Sequence, residues 1–128
     1  MTFAYLDTSA FVKTIAEEPE SARLESWLGQ WPRRASCALI RTEAIRALAP
    51  YGSEVIAAAR AQFGTLRIVR LESRLLDSAG DLRVDLRTLD AVHVAAALAL
   101  GPDLGVLVTY DSRMESAARE LGIAVAAP

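Results

Sequence analysis

The sequence predicts an α/β protein, a three-layer α/β/α sandwich with a central parallel sheet, and three observations support that fold class. Short apolar runs alternate with longer helical patterns, as in a parallel sheet covered by helices. The two strongest runs, residues 3–6 and 105–109, do not alternate apolar with polar positions, which is typical of strands buried on both faces. Finally, 128 residues of which 52% are apolar suffice for a single domain, residues 1–128, with a normal core.

The remaining elements follow from local patterns. Weaker apolar runs predict three more strands, at residues 35–38, 68–71 and 123–126. The first helix is predicted to begin with Thr8 or Ser9 as its N-cap, and Pro19 starts the second helix, which ends before Gly29. Gly122 suits the position that ends the last helix. The predicted helices span residues 9–17, 19–28, 39–49, 53–63, 72–82, 89–100 and 113–121.

Composition excludes several classes of protein. The formal net charge of −2 is unlike that of a general polyanion binder. Cys37 is the single cysteine, so the sequence has neither a disulfide framework nor a cysteine-based metal site. The longest uncharged run, residues 91–102, is far shorter than the ~20 residues that cross a bilayer, and no secretory signal is visible. We expect a cytoplasmic protein without a membrane span.

Two acidic residues lie where predicted parallel strands end. Asp7 directly follows the first strand, and Asp111 follows the strand at 105–109 in much the same manner. In parallel α/β sheets, ligands bind beyond the carboxyl ends of the strands, so both acids are candidates for a functional site. Each acid can instead be the N-cap of the helix that follows it, a role worth ~1 kcal/mol.

Two more acids lie on helical faces that are otherwise apolar. Asp90 lies near the start of a helix that is apolar nearly all round, and Glu43 has apolar residues beside it on its face. Burying an unpaired carboxylate is costly, so each acid needs a strong partner. The simpler alternatives are that Asp90 complements the helix dipole and that Glu43 pairs with Arg41 or Arg46 on a solvated face.

The four acids together suggest a metal site. Two unit charges ~4 Å apart repel each other by ~4 kcal/mol at an effective dielectric of about 20, so a cluster of four carboxylates needs a cation. Oxygen ligands without His or Cys favour a hard ion, Mg²⁺, with Mn²⁺ as a substitute. Such an ion activates water for attack on a phosphodiester and stabilises the leaving oxygen. The residues alone predict metal-dependent chemistry on phosphate groups and do not choose the substrate.

Four motifs in this order, YLDTSAFVK, RTE, LRTLDAVHVAAA and TYDSRM, resemble those of PIN-domain ribonucleases, specifically the VapC-type toxins of bacterial type II toxin–antitoxin pairs. The resemblance covers essentially the whole chain. It implies a PIN-like sandwich and a Mg²⁺-dependent endoribonuclease with one bound ion or two. It also implies a homodimer, held inactive by a small cognate antitoxin protein.

The resemblance also assigns roles to individual residues. Catalytic and metal-binding roles fall on the four acids, Asp7, Glu43, Asp90 and Asp111. The hydroxyl groups that support these acids belong to Thr8, Ser9 and Thr109. Asp85 and Asp103 lie near the motif acids without matching them, and we interpret both as surface or loop residues.

Several other residues have two interpretations each. Trp27 and Trp31 can stack on bases, but packing of the second helix against the core or an antitoxin is the favoured interpretation. His93 is a tempting general base, but we favour a histidine of the core or of a dimer interface. Four basic residues are candidates for binding RNA phosphates, or else are solvated or paired with the acids: Lys13, Arg41, Arg87 and Arg113.

Two competing functions remain open from the sequence. A phosphoacceptor receiver domain shares this length and a parallel sheet with acids at strand ends. Asp7 has no adjacent acid, however, and the single lysine is Lys13 rather than a residue late in the chain. A PIN-like domain that binds RNA or protein without cleaving is the main alternative. The presence of all four acids argues against it, so we expect an endoribonuclease.

Overall fold

A computed structural model describes residues 2–128. Its strands are β1 Phe3–Leu6, β2 Arg34–Cys37, β3 Arg67–Val69, β4 Leu104–Val108 and β5 Val125–Ala126. They form one five-stranded sheet in the order β3-β2-β1-β4-β5, and every neighbouring pair is parallel. β1 is therefore the central strand of the sheet, with β2 on one side and β4 on the other.

Seven α-helices connect these strands within residues 2–128. They are α1 Thr8–Ile15, α2 Ser21–Leu28, α3 Ile40–Leu48, α4 Ser53–Phe63, α5 Ser73–Asp81, α6 Thr88–Ala99 and α7 Ser112–Glu120. Every predicted strand and helix is present, and no end differs from its predicted position by more than two residues. None of the helices in this part of the chain is long and apolar enough to span a membrane.

The sheet has a core on each face because successive strand residues point to opposite sides. In β1, Phe3 and Tyr5 belong to the core that α5, α6 and α7 cover, whereas Ala4 and Leu6 belong to the core that α1 to α4 cover. All four side chains are buried. The predicted three-layer sandwich with a central parallel sheet is confirmed, and burial on both faces explains the continuous apolar run of β1.

The start of α1 differs from the prediction. Its N-cap is Asp7, not Thr8 or Ser9, because the Asp7 carboxylate accepts the backbone N–H of Ala10 in the first turn. The backbone of Asp7 is extended, as an N-cap requires, with ψ 179°. Pro19 also lies outside the first turn of α2, since that helix begins two residues later.

Trp27 and Trp31 pack against the core that α1 to α4 cover. Their rings stack on each other with centroids 5.9 Å apart. Gly105 in β4 permits this packing, because a Cβ atom there would collide with the Trp31 ring and lie 2.6 Å from Thr2 Oγ1. The packing role favoured for the two tryptophans is therefore confirmed.

The pairing of β1 with β4 brings two of the predicted site residues to one edge of the sheet. Leu6 pairs with Val108, and the N–H of Asp7 donates to the Val108 carbonyl at 3.2 Å. Asp7 and Asp111 therefore both follow the carboxyl ends of adjacent parallel strands, the position at which such sheets bind ligands.

Candidate active site

Asp7 is held in place by three hydrogen bonds. Its Oδ1 accepts from the Ala10 backbone N–H at 2.9 Å and from the Ser9 hydroxyl at 2.7 Å. Its Oδ2 accepts from the hydroxyl of Thr109 at 2.5 Å. Burial raises the pKa of Asp7, and the hydrogen bonds from Thr109, Ser9 and Ala10 oppose that rise only in part. Asp7 is only 3% exposed, and its hydrogen bonds fix the carboxylate in one orientation.

Thr109 links Asp7 to Asp111. The Thr109 hydroxyl donates to Asp7 and accepts the backbone N–H of Asp111 at 3.1 Å. Asp111 is the N-cap of α7, where its Oδ1 accepts the backbone N–H of Met114 at 2.8 Å. Both strand-end acids therefore cap helices through Oδ1, as the simpler interpretation predicted. Capping uses one oxygen of each acid and leaves Oδ2 for other partners.

Asp90 lies in the first turn of α6, beside the same edge of the sheet. Its Oδ2 is 3.3 Å from Nε of Arg87, and Nη2 of the same guanidinium is 3.5 Å from Oδ2 of Asp111. The side chains of Asp90 and Asp111 are 19% and 30% exposed, so both reach solvent. One arginine thus joins two acids that belong to different elements.

Glu43, on α3, has two close partners from other elements. Its Oε1 accepts the hydroxyl of Thr8 at 2.7 Å and lies 2.7 Å from Nε2 of His93. Burial favours a higher pKa for Glu43, but the hydrogen bonds from His93 and Thr8 outweigh it and lower the pKa below its usual value. Glu43 is therefore ionised at neutral pH, and its Oε2 has no hydrogen-bond partner within residues 2–128.

His93 is a core residue that also reaches the candidate site. It is 2% exposed, and its Nδ1 lies 2.8 Å from the buried hydroxyl of Tyr5 and 3.7 Å from Sγ of Cys37. Burial alone lowers the pKa of His93, but hydrogen bonds with Cys37 and Glu43 raise it to about 10. The core location favoured from the sequence is correct. The contact with Glu43 was missed there.

The four predicted acids are thus connected around one edge of the sheet. Thr109 joins Asp7 to Asp111, Arg87 joins Asp111 to Asp90, and α6 carries Asp90 one turn before the histidine that binds Glu43. As positioned, no three Asp, Glu, His or Cys side chains in residues 2–128 are close enough to hold a metal ion.

The chemistry of these donors nevertheless fits a hard divalent cation. The site offers carboxylate oxygens alone, the ligand type that Mg²⁺ and Mn²⁺ prefer. The guanidinium between Asp90 and Asp111 marks a place where this site already accommodates positive charge. Glu43 keeps one carboxylate oxygen without a hydrogen bond in the described chain. Asp90 and Asp111 are partly exposed and present Oδ2 toward the same guanidinium.

The predicted RNA-binding residues have different surroundings. Lys13 is paired with Glu18 and Glu20, each at 3.1 Å, and lies over the Tyr110 ring. Arg41 is exposed and lies over the ring of Phe63 on α4. Arg113 is exposed on α7, and Arg87 bridges Asp90 and Asp111. Lys13 is therefore the least available of the four for phosphate.

At this edge of the sheet Asp7 is buried, whereas Asp90 and Asp111 are partly exposed. A groove of about 700 Å³ is present elsewhere, between β3 and the helices α5 and α6. None of the four acids lines it, although three arginines do: Arg67, Arg70 and Arg74.

A parallel sheet between helix layers, with acids at the carboxyl ends of its central strands, is the arrangement of a PIN domain. The PIN domain family model matches residues 4–120. Among characterised proteins, ribonuclease VapC46 of Mycobacterium tuberculosis is 48% identical to this chain over 129 residues, which is 100% of this chain and 99% of VapC46. Ribonuclease VapC47 of the same species is 38% identical, over 97% of this chain and 96% of VapC47. The chain belongs to the PIN-domain family, as a member of its VapC ribonucleases.

Solved structures confirm the fold. M. tuberculosis VapC20, a toxin that cleaves the sarcin–ricin loop, superposes with a TM-score of 0.77 at 15% identity and covers 99% of this chain and 100% of its own. A toxin–antitoxin complex from Klebsiella pneumoniae superposes with a TM-score of 0.76 at 19% identity, over 98% of this chain and 97% of its own. The resemblance drawn from the four motifs is therefore confirmed.

Proposed function

We propose that this VapC ribonuclease is the toxin of a toxin–antitoxin pair and hydrolyses RNA with a Mg²⁺ ion held by the four acids: Asp7, Glu43, Asp90 and Asp111. The observation that carries this proposal is the grouping of the four acids at one edge of the sheet: Thr109 and Arg87 link Asp7, Asp111 and Asp90, and His93, one turn after Asp90 on α6, contacts Glu43. Mn²⁺ is expected to substitute for Mg²⁺, since both are hard ions that prefer oxygen ligands.

The protein supplies a fixed set of anions for this chemistry. Mg²⁺, when bound, supplies activation of the attacking water and stabilises charge on the leaving oxygen. Asp7 is the rigid member, because Ser9, Thr109 and the backbone of α1 fix both of its oxygens. Thr8 and His93 orient Glu43 in the same way. Asp90 and Asp111 are partly exposed and form the solvent side of the set.

Partners and location belong to the same proposal. We propose that a cognate antitoxin protein neutralises the chain, because the solved relatives include toxin–antitoxin complexes from Klebsiella pneumoniae and Rickettsia felis. We also propose a single domain over residues 1–128 that acts as a homodimer in the cytoplasm. Arg41, Arg87 and Arg113 are the exposed arginines that we assign to RNA phosphates, with Lys13 as a fourth candidate.

A domain that binds RNA without cleaving it remains the second candidate. The observation that favours it is the spacing of the acids, since no three of them meet closely enough for a metal in the described chain as it stands. The two candidates differ in one respect that a simple assay measures, because only the nuclease generates new RNA ends.

The test is cleavage of total bacterial RNA by the purified chain in EDTA, Mg²⁺ and Mn²⁺, with analysis of the ends produced. Attack by water leaves a phosphate and a hydroxyl, whereas attack by the ribose 2′-hydroxyl leaves a 2′,3′-cyclic phosphate. We expect cleavage in Mg²⁺ and Mn²⁺, none in EDTA, and no cyclic phosphate. Cleavage that persists in EDTA, or cyclic phosphate ends, would contradict the proposed chemistry, and RNA binding without cleavage in either ion would favour the second candidate.

A further inference from the structure

Arg87 makes two ion pairs from a solvent-exposed position. It lies in the loop between α5 and α6, directly before the first residue of α6. Its Nε is 3.3 Å from Oδ2 of Asp90, and its Nη2 is 3.5 Å from Oδ2 of Asp111. The side chain is 70% exposed, so a single planar guanidinium spans two acids while most of its surface stays in water.

Arg87 differs from an ordinary surface ion pair because one guanidinium contacts two acids that belong to different elements. An isolated exposed pair contributes little to stability, so two acids from separate elements need not converge on one arginine for that reason. The planar fork of arginine contacts the two carboxylates through different nitrogens, Nε for Asp90 and Nη2 for Asp111. Asp90 and Asp111 would otherwise repel each other across the gap that Arg87 fills.

We propose that Arg87 is a positioning residue. Its guanidinium acts as an internal counter-ion that keeps Oδ2 of Asp90 and Oδ2 of Asp111 facing the same place, until a divalent ion takes that place. The inference rests on the proposed function, because it takes these two acids as metal ligands. Loading the site then requires the guanidinium to leave both carboxylates. Because the Arg87 side chain is 70% exposed, that movement needs no change in the buried core.

Metal affinity without RNA tests this role directly. Free Mn²⁺ is counted by electron paramagnetic resonance during titration of the wild type and of Arg87→Ala, Arg87→Lys and Arg83→Ala. Arg83 is the matched control, because it is an exposed arginine in the same loop that makes no ion pair within residues 2–128. We expect Arg87→Ala to bind Mn²⁺ roughly 3- to 10-fold more tightly, since a competing unit charge beside the ion is removed.

The two control variants separate a bridging role from a general charge effect. Arg87→Lys keeps the charge but not the fork, so it should bind Mn²⁺ with an intermediate affinity. Arg83→Ala should stay within about 2-fold of the wild type, because its charge is solvated and screened. Unchanged or weaker Mn²⁺ binding in Arg87→Ala, or an equal gain in Arg83→Ala, would overturn the inference.

A second measurement follows the guanidinium itself. The Nε–H resonance of Arg87, assigned by its loss in Arg87→Lys, is recorded by ¹⁵N-correlated NMR in EDTA and then in Mg²⁺. We expect the resonance to move and exchange faster with water when Mg²⁺ is added. A resonance that does not change while Mg²⁺ binds would contradict the displacement. If the wild type binds neither Mn²⁺ nor Mg²⁺, the proposed metal site fails, and that result differs from normal binding that Arg87→Ala leaves unaltered.

Discussion

His93 connects the buried core to the candidate active site, because its Nε2 lies 2.7 Å from Oε1 of Glu43. On the other side of the ring, Nδ1 lies 2.8 Å from the hydroxyl of Tyr5, which is fully buried. Glu43 accepts from Nε2, so the ring orientation is fixed at both nitrogens. The histidine acts on the candidate site through Glu43 and is therefore a positioning residue.

The His93–Glu43 pair should make stability depend on pH. Against the effect of burial, contacts with Cys37 and Glu43 raise the pKa of His93 from 6.5 to about 10, so its contribution is fully present below pH 6.5 and is lost as the pH rises through about 10. The pKa of Glu43 is lowered from 4.5, so its contribution is present above pH 4.5 and is lost as the pH falls below that value. We expect the pair to stabilise the fold most between these limits.

Urea unfolding of the wild type and of His93→Gln from pH 4 to pH 10 measures this effect. The stability difference between the two proteins should be largest near pH 5 to 6 and should shrink toward pH 10. Tyr5→Phe is a useful companion, because it removes the hydroxyl beside Nδ1 and leaves the contacts with Cys37 and Glu43. A stability difference that stays constant from pH 6.5 to pH 10 would show that the pair carries no such linkage.

Thr109→Val should weaken both the fold and the reaction. The change removes the donor to Oδ2 of Asp7 in a buried place, which costs about 1–3 kcal/mol. It also removes a hydrogen bond that opposes the raised pKa of Asp7, so that pKa should rise further. We expect RNA cleavage to fall roughly 10- to 100-fold, with the acid limb of its pH profile displaced to higher pH.

Thr109→Ser is the matched control because it keeps the hydroxyl and loses one methyl group. It should retain most of the cleavage rate and an acid limb close to that of the wild type. If the valine and serine variants behave alike, the hydrogen bond to Asp7 is not what positions this carboxylate.

Gly105→Ala should destabilise the protein without touching the acids. An added Cβ would overlap the Trp31 ring and Thr2 Oγ1, and forced overpacking of this kind costs about 1–3 kcal/mol. Gly80→Ala in α5 is the control, since a Cβ there meets nothing within 4 Å and alanine favours a helix by about 1 kcal/mol. Thermal melting should therefore shift down for the first variant and up for the second, and a shift of the same sign in both would contradict the packing argument.

Much of the fold could be predicted from local patterns. The unbroken apolar runs of β1 and β4 indicate strands buried on both faces, and the acids that follow them indicate the functional edge of the sheet. The sequence offered Thr8 or Ser9 as the N-cap of α1 and Asp7 as the alternative, because all three are good capping residues. The backbone geometry that selects Asp7 is not visible in the sequence.

The links between the acids could not be predicted in the same way. His93 was placed in the core, but its contact with Glu43 depends on how α6 and α3 lie against the sheet, and these residues are 50 positions apart. The bridge that Arg87 makes depends on a loop and two separate helices.

The central claim is that four acids form one metal-dependent nuclease site, and single-turnover cleavage of RNA in Mg²⁺ tests it most directly. Each site acid is replaced by its amide, as Asp7→Asn, Glu43→Gln, Asp90→Asn and Asp111→Asn. Asp85→Asn and Asp103→Asn serve as controls, because both acids are exposed and lie outside the connected set. We predict that each site variant folds but loses at least about 100-fold in rate, equivalent to ~2.7 kcal/mol, while the controls keep theirs. Mg²⁺-dependent cleavage retained by both Asp7→Asn and Asp90→Asn would contradict the account.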